Sequence, residues 1–274
     1  MKMFYVRMLA VVFTVAAFIG VNSLSAFAAA EPDWVNKVVQ VTGMGAQPAR
    51  AVNPAQARMM ARRAAVADAY RQLAESIKGV NVDAETTVEN MMVTNDTIRT
   101  KVSAMIQGAI VVAEKEIPGG YEVTMQVPIF GVQNSIAQAI LPETSTPTVP
   151  ETFPAPTVTV PSSGGYTGLI IDCRGLGLKP VMSPVIKNDA GVAIYGHKNL
   201  NPDKVIANGM ADYAYDTSSN VARAGSNPLI IKAVSLDGGV LRGNPVVSTA
   251  DANKILSENN VSHFLENTNV VFVR

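Results

Sequence analysis

The chain has two histidines, His197 and His263, and one cysteine, Cys173. Any acid–base or nucleophilic chemistry must therefore be built from these and from nearby carboxylates. Ser/His/Asp catalysis needs a base held by an orienting carboxylate beside a nucleophile. Asp172, Asp189, Asp203, Asp212 and Asp216 share the second half of the chain with both histidines, yet no G-x-S-x-G elbow accompanies them. The histidines form no i, i+4 pair and neither adjoins the cysteine, so no zinc-ligand spacing is present. His197 in IYGHKNLNP reads as an exposed loop residue and His263 in NVSHFLEN as a turn or cap. Cys173 follows the apolar run LIID and reads as a buried small residue, not a nucleophile. Gly175 and Gly177 in RGLGLKP give G-x-G without the third glycine or GK[ST] ending that a phosphate loop needs. The expectation is a non-catalytic protein with no cofactor and no metal.

Two charged groups remain. Asp83, Glu85 and Glu89 occupy every second position of VNVDAETTVE. Such spacing is what the wet face of a strand produces, and no histidine lies nearby to complete a metal site. Arg58, Arg62 and Arg63 stand on an alanine-rich helix, mainly off its apolar side, and read either as a solvated face or as a partner surface for an acidic protein neighbour. Arg71 lies three residues after Asp68 and four before Glu75, distances at which helical side chains pair.

The elements that would position these groups are legible from periodicity. VVQVTGMGA is a strand ending in glycine turns. Asn53 caps a helix with Pro54 at its first position and Gln56 three after the cap, and Gly79 ends it. Met59, Val66, Tyr70, Leu73 and Ile77 draw an apolar stripe expected to face a sheet, while Ala57, Ala61, Ala64, Ala65 and Ala69 keep the rest of the helix thin. The alternation from Val80 to Val88 reads as a long strand. TNDTIRTKVSAMI is a second helix, AIVVAEKEI and YEVTMQVPIF are two arms of a hairpin turning at Pro118-Gly119-Gly120, and NSIAQAIL is a short tail helix. Farther on, PVI and VAIY flank a KNDAG turn, Asn201-Pro202 starts a short helix, and PLIIKAVSL and NPVVS add strands. Ser248 to Asp251 caps a helix, and NVVFV closes the chain as a core-type strand.

Between these halves, residues 142–165 (PETSTPTVPETFPAPTVTVPSSGG) carry six prolines and six threonines without hydrophobic period and read as an extended Pro/Thr-rich linker. In polyproline II, at about 3.1 Å per residue, it would separate two domains by up to roughly 70 Å. The expected architecture is two α+β domains, residues 33–141 and 166–274, the first a helix-packed, mostly antiparallel sheet.

Lys2 and Arg7 precede an uncharged stretch, residues 8–30, that ends in SAFAAA, the order of a secretory signal peptide over residues 1–28 with cleavage after Ala28 or Ala30. An uncleaved anchor is the alternative, and would be the only membrane contact. Export points to the periplasm or cell envelope. Removing residues 1–28 leaves 20 basic residues against 22 acidic ones, a balance that carries no broad positive field for nucleic acid.

The Ala/Arg-rich text ARMMARRAAVADAYRQLAESIKGV running into NVDAETTV, preceded by a glycine-ended strand, resembles the small bacterial outer-membrane lipoprotein family called LPP-twenty and the related N-terminal domain of flagellar assembly protein T. The resemblance covers about residues 34–130. It implies a non-catalytic envelope part, often a subunit of ring structures around the flagellar motor, whose partners are other envelope proteins or further copies of itself. The lipoprotein members carry a cysteine at the signal cleavage site for acylation, and SAFAAAEP has none. An exported product without a lipid is therefore expected. A ligand or glycan binder, using a cleft lined by Tyr195, Tyr213 and Tyr215 in the second domain, is the other class of function that the sequence admits.

Overall fold

A computed structural model describes residues 30–141, 149–158 and 160–274. Residues 1–29, which hold the expected signal peptide, and residues 142–148 and 159 of the expected linker lie outside the described residues.

The first region opens with β1 (Val38–Ala46), which pairs antiparallel with β3 (Gly120–Pro128), and β3 pairs with β2 (Ile110–Ile117) in a three-stranded sheet of order β1-β3-β2. A 25-residue helix, α1 (Pro54–Lys78), covers one face. Its Asn53 side chain accepts from Gln56 N at 2.8 Å, the expected cap. The face it buries differs from the expected stripe. Ala57, Ala61, Ala65 and Ala69 lead it, followed by Leu73, Ser76 and Ile77, while Met59 is 58% exposed. The physical reason lies in β1. A Cβ on Gly43 would come within 2.3 Å of Ala65 O, and one on Gly45 within 2.0 Å of Ala61 O. Helix and strand thus touch backbone to backbone, and only alanine fits between them.

The expected strand over residues 80–88 is absent. Asp83 Oδ1 accepts from Glu85 N (2.8 Å) and Thr86 N (2.7 Å), and the chain turns. Thr87 then caps α2 (Val88–Thr94), and Asn95 caps α3 (Asp96–Gln107). α4 (Ile136–Ile140) closes the region.

The second region has two sheets. In one, β7 (Asp212–Ala214), β11 (Val270–Val273), β4 (Gly168–Asp172) and β8 (Pro228–Lys232) lie in that order, all parallel. In the other, of order β6-β5-β10-β9, β5 (Ile186–Asn188) pairs antiparallel with β6 (Ala193–Tyr195) and parallel with β10 (Asn244–Val247), which meets β9 (Ser235–Asp237) antiparallel. The helices are α5 (Pro202–Asn208) and α6 (Thr249–Ser262), the latter capped by Ser248 as its sequence requires.

The two α+β regions follow one another along the chain, but they are not held apart. Met182 N donates to Asn81 O (3.0 Å), Ser183 N to Val82 O (2.7 Å) and Gly131 N to Ile206 O (2.8 Å). Trp34 meets Tyr213 edge-on with ring centroids 5.6 Å apart, and a single apolar cluster runs through both regions. The described part of the linker is docked as well. Thr157 N donates to Asn253 Oδ1 (2.8 Å), and Ser163 N (2.9 Å) and Gly164 N (3.1 Å) donate to the buried carboxylate of Glu258. Phe153 stacks on Tyr195 with centroids 6.4 Å apart. Residues 149–158 and 160–165 act as a strap across the polar side of α6 and not as a spacer. Composition hides this because the receiving groups, Asn253, Ser257 and Glu258, lie roughly a hundred residues away.

Candidate functional site

The candidate surface builds outward from α1 and β2. Glycines in β1 pull α1 onto the sheet, and this brings Arg58 and Arg62 beside β2. Arg62 pairs with Glu114, its Nε donating to Oε2 at 2.9 Å, and Tyr121 Oη donates to the same oxygen at 3.3 Å. Arg58 Nε lies 3.6 Å from Glu116. The Arg62 hydrogen bond holds the Glu114 carboxyl below its ordinary range and raises the guanidinium in turn. Arg63 is exposed and has no ion pair among the described residues. Of the three arginines read as a partner surface, two therefore clasp their own β2 and one points to solvent.

That clasp fixes an edge. Among the described residues β2 pairs only with β3. Its second half carries Glu114, Lys115 and Glu116, charges of the kind that keep edges from pairing with other chains. Its first half does not. Ile110, Val111 and Val112 are 55%, 39% and 43% exposed in succession, and the register shifts at Val112. The sequence showed these residues as one arm of a hairpin and gave no sign that this arm would be the outer one.

The groups weighed for catalysis are dispersed. His197 sits in a 3₁₀ turn and lines a cavity of about 450 Å³ at the junction of the two regions, whose other walls include Asp83, Glu85, Ser183 and Asn244. His263 is the left-handed cap of α6, with Nδ1 3.5 Å from Glu266. Asp172 pairs with Arg174, Asp216 accepts from Ser218 N and Ser219 N, and Asp189 accepts from Thr249 N at the start of α6. Asp203 lies in the first turn of α5. Asp212 binds Arg223 and Lys37. Burial pushes the Cys173 thiol up to about 12. No cluster of three or more His, Cys, Asp or Glu suited to a metal occurs among the described residues.

The expected tyrosine cleft does not form. Tyr195 and Tyr213 are buried, donating to Met210 O (2.6 Å) and Val181 O (2.8 Å), and Tyr213 also accepts from Val181 N. Each ring fills core, and each hydroxyl satisfies backbone. Tyr215 alone is exposed, with the Arg274 guanidinium 5.1 Å from its ring centre.

Among the described residues no helix is long and apolar enough to cross a membrane. No curated protein matches the chain. Residues 168–274 match the family model of the second domain of Treponema pallidum Tp0624. Residues 32–127 match that of the LPP20 lipoprotein, in accord with the resemblance read from α1 and the strand before it.

Proposed function

We propose that this is a cell-envelope protein that works by binding other proteins, without catalysing a reaction, and that the first half of β2 is where an extended strand of a partner pairs. The envelope reading is supported by the likeness of residues 32–127 to a lipoprotein family and by the order of residues 2–30.

The observation that carries the binding role is the contrast within one strand. Charges guard residues 114–116, and three exposed aliphatic side chains without a charge stand at 110–112, where the register shifts. A strand added there gains main-chain hydrogen bonds, and it covers aliphatic surface that otherwise faces water. Arg58 and Arg62 hold the edge in place, so little order has to be gained on binding. The test is affinity isolation of tagged wild type and Val112→Lys from envelope extracts. Proteins that co-purify with wild type and are lost with a folded Val112→Lys support the reading. An unchanged set of partners contradicts it.

A further inference from the structure

The docked strap makes one wall of a second groove, of about 480 Å³, on the far side of Tyr195 from the core. Phe153 lines it, and its other walls come from Asn199 of the 3₁₀ turn, Asn201 and Lys204 at the start of α5, the end of α6 and Glu266. The side chains here are held at one end and free at the other. Asn199 Nδ2 donates to the carbonyls of Glu151 and Thr152 (3.3 Å each), which leaves Oδ1 as an acceptor. Asn201 Oδ1 caps α5 by accepting from Asp203 N and Lys204 N, which leaves Nδ2 as a donor. Glu266 Oε2 accepts from the buried Asn259 (2.9 Å) and Oε1 lies 3.5 Å from His263 Nδ1, so its carboxylate is fixed in orientation. Lys204 Nζ touches only Asn267, at 3.4 Å. Asn260 is exposed, with no side-chain hydrogen bond among the described residues.

We propose that this groove binds a neutral carbohydrate, with a sugar ring against Phe153 and its hydroxyls bridging the asparagine amides and Glu266. A hydroxyl both donates and accepts, so vicinal hydroxyls match a wall on which oriented donors and acceptors alternate. The ionised oxygens of a phosphate group only accept, whether the phosphate is free or part of a nucleotide. The groove sets Lys204 against Glu151 and Glu266, a net negative lining that disfavours anions. An apolar ligand would strand these amides without partners. Phe153 supplies the apolar face that the ring's C–H side needs, and its stacking on Tyr195 keeps it from turning away. The site stands independently of β2, so failure of one proposal leaves the other intact.

Titration of the ¹⁵N-labelled protein with tri-N-acetylchitotriose, maltotriose and trigalacturonate, followed by amide shifts, tests it. Saturable shifts at residues 199, 201 and 260 are expected with at least one neutral trisaccharide. Asn260→Ala should bind about fivefold more weakly, the loss of one hydrogen bond, and Val240→Ala should bind as wild type does. Phe153→Ala, with its melting curve recorded to confirm that it folds, should abolish binding. The proposal is overturned by an absence of shifts with both neutral sugars at about 10 mM, by tighter binding of trigalacturonate than of both, or by Asn260→Ala binding as wild type does.

Discussion

Arg223 and Asp212 meet at 2.6 Å between Nη1 and Oδ1, and Lys37, from the first region, reaches the same oxygen at 2.7 Å. Arg223 spends its remaining donors on the carbonyls of Thr268, Asn208 and Gly209 and on Thr268 Oγ1, so all five N–H groups have acceptors. The carboxylate is thus set by its own region and then used to receive a cation from the other.

This arrangement separates two effects that a count of ion pairs would merge. Arg223→Ala leaves three carbonyls without this donor and the part-buried carboxylate with Lys37 alone, and should cost about 3 kcal/mol in denaturant unfolding. Lys37→Ala removes a pair whose side chains are 30% and 22% exposed, and should cost about 0.5 kcal/mol. Equal losses from the two variants would show that the junction, and not the guanidinium network, supplies the stability.

Gly45→Ala tests the backbone contact of α1 with β1. Its added methyl would lie 2.0 Å from Ala61 O and 2.5 Å from Ala65 N, so the helix itself has to move. A loss of about 3 kcal/mol is expected, against about 0.5 kcal/mol or less for alanine at the half-exposed Met60. Thermal melts of the two variants decide it. A Gly45→Ala protein as stable as wild type would mean that helix and strand are not in contact.

Acid should release the strap. Burial raises the Glu258 carboxyl, but the hydrogen bonds from Ser163, Ser162 and Gly164 outweigh it and hold the group below its ordinary 4.5. A depressed carboxylate stabilises fully above its ordinary value, and that stabilisation is lost as pH falls through the lowered one. The stability gap between wild type and Glu258→Gln should therefore be constant from pH 7 to about 5 and close below about 4. Urea titrations at a series of pH values measure it. A gap that widens in acid would reverse the assignment.

Much of this fold can be read from text whose signals are local. The Asn53-Pro54 and Ser248 caps, the Pro118-Gly119-Gly120 hairpin and the final strand all stand where their residues put them. The failures share a cause. VNVDAETTV alternates like a strand, yet the Asp83 carboxylate captures two amides and turns the chain, a competition between side chain and ladder that periodicity does not record. Leu73 and Ile77 are buried as the apolar stripe of α1 requires, but Met59 is not, because Gly43 and Gly45 bring β1 so close that only alanine fits in the first half of the helix. The strap reads as a spacer because Asn253 and Glu258 are remote from it in sequence. Of the candidate surface, Arg58 and Arg62 were visible, and their partners Glu114 and Glu116 were not, since nothing in the chain says which hairpin arm is the outer strand that these side chains reach.

The unguarded half of β2 is open to one direct measurement. A photo-reactive amino acid placed at position 112, and separately at the exposed position 93, is activated in cells that produce the protein. Discrete protein adducts from 112 and none from 93 are expected, whether the partner is a different protein or a second copy of this chain. No adduct from 112, or the same adducts from both positions, would contradict the account.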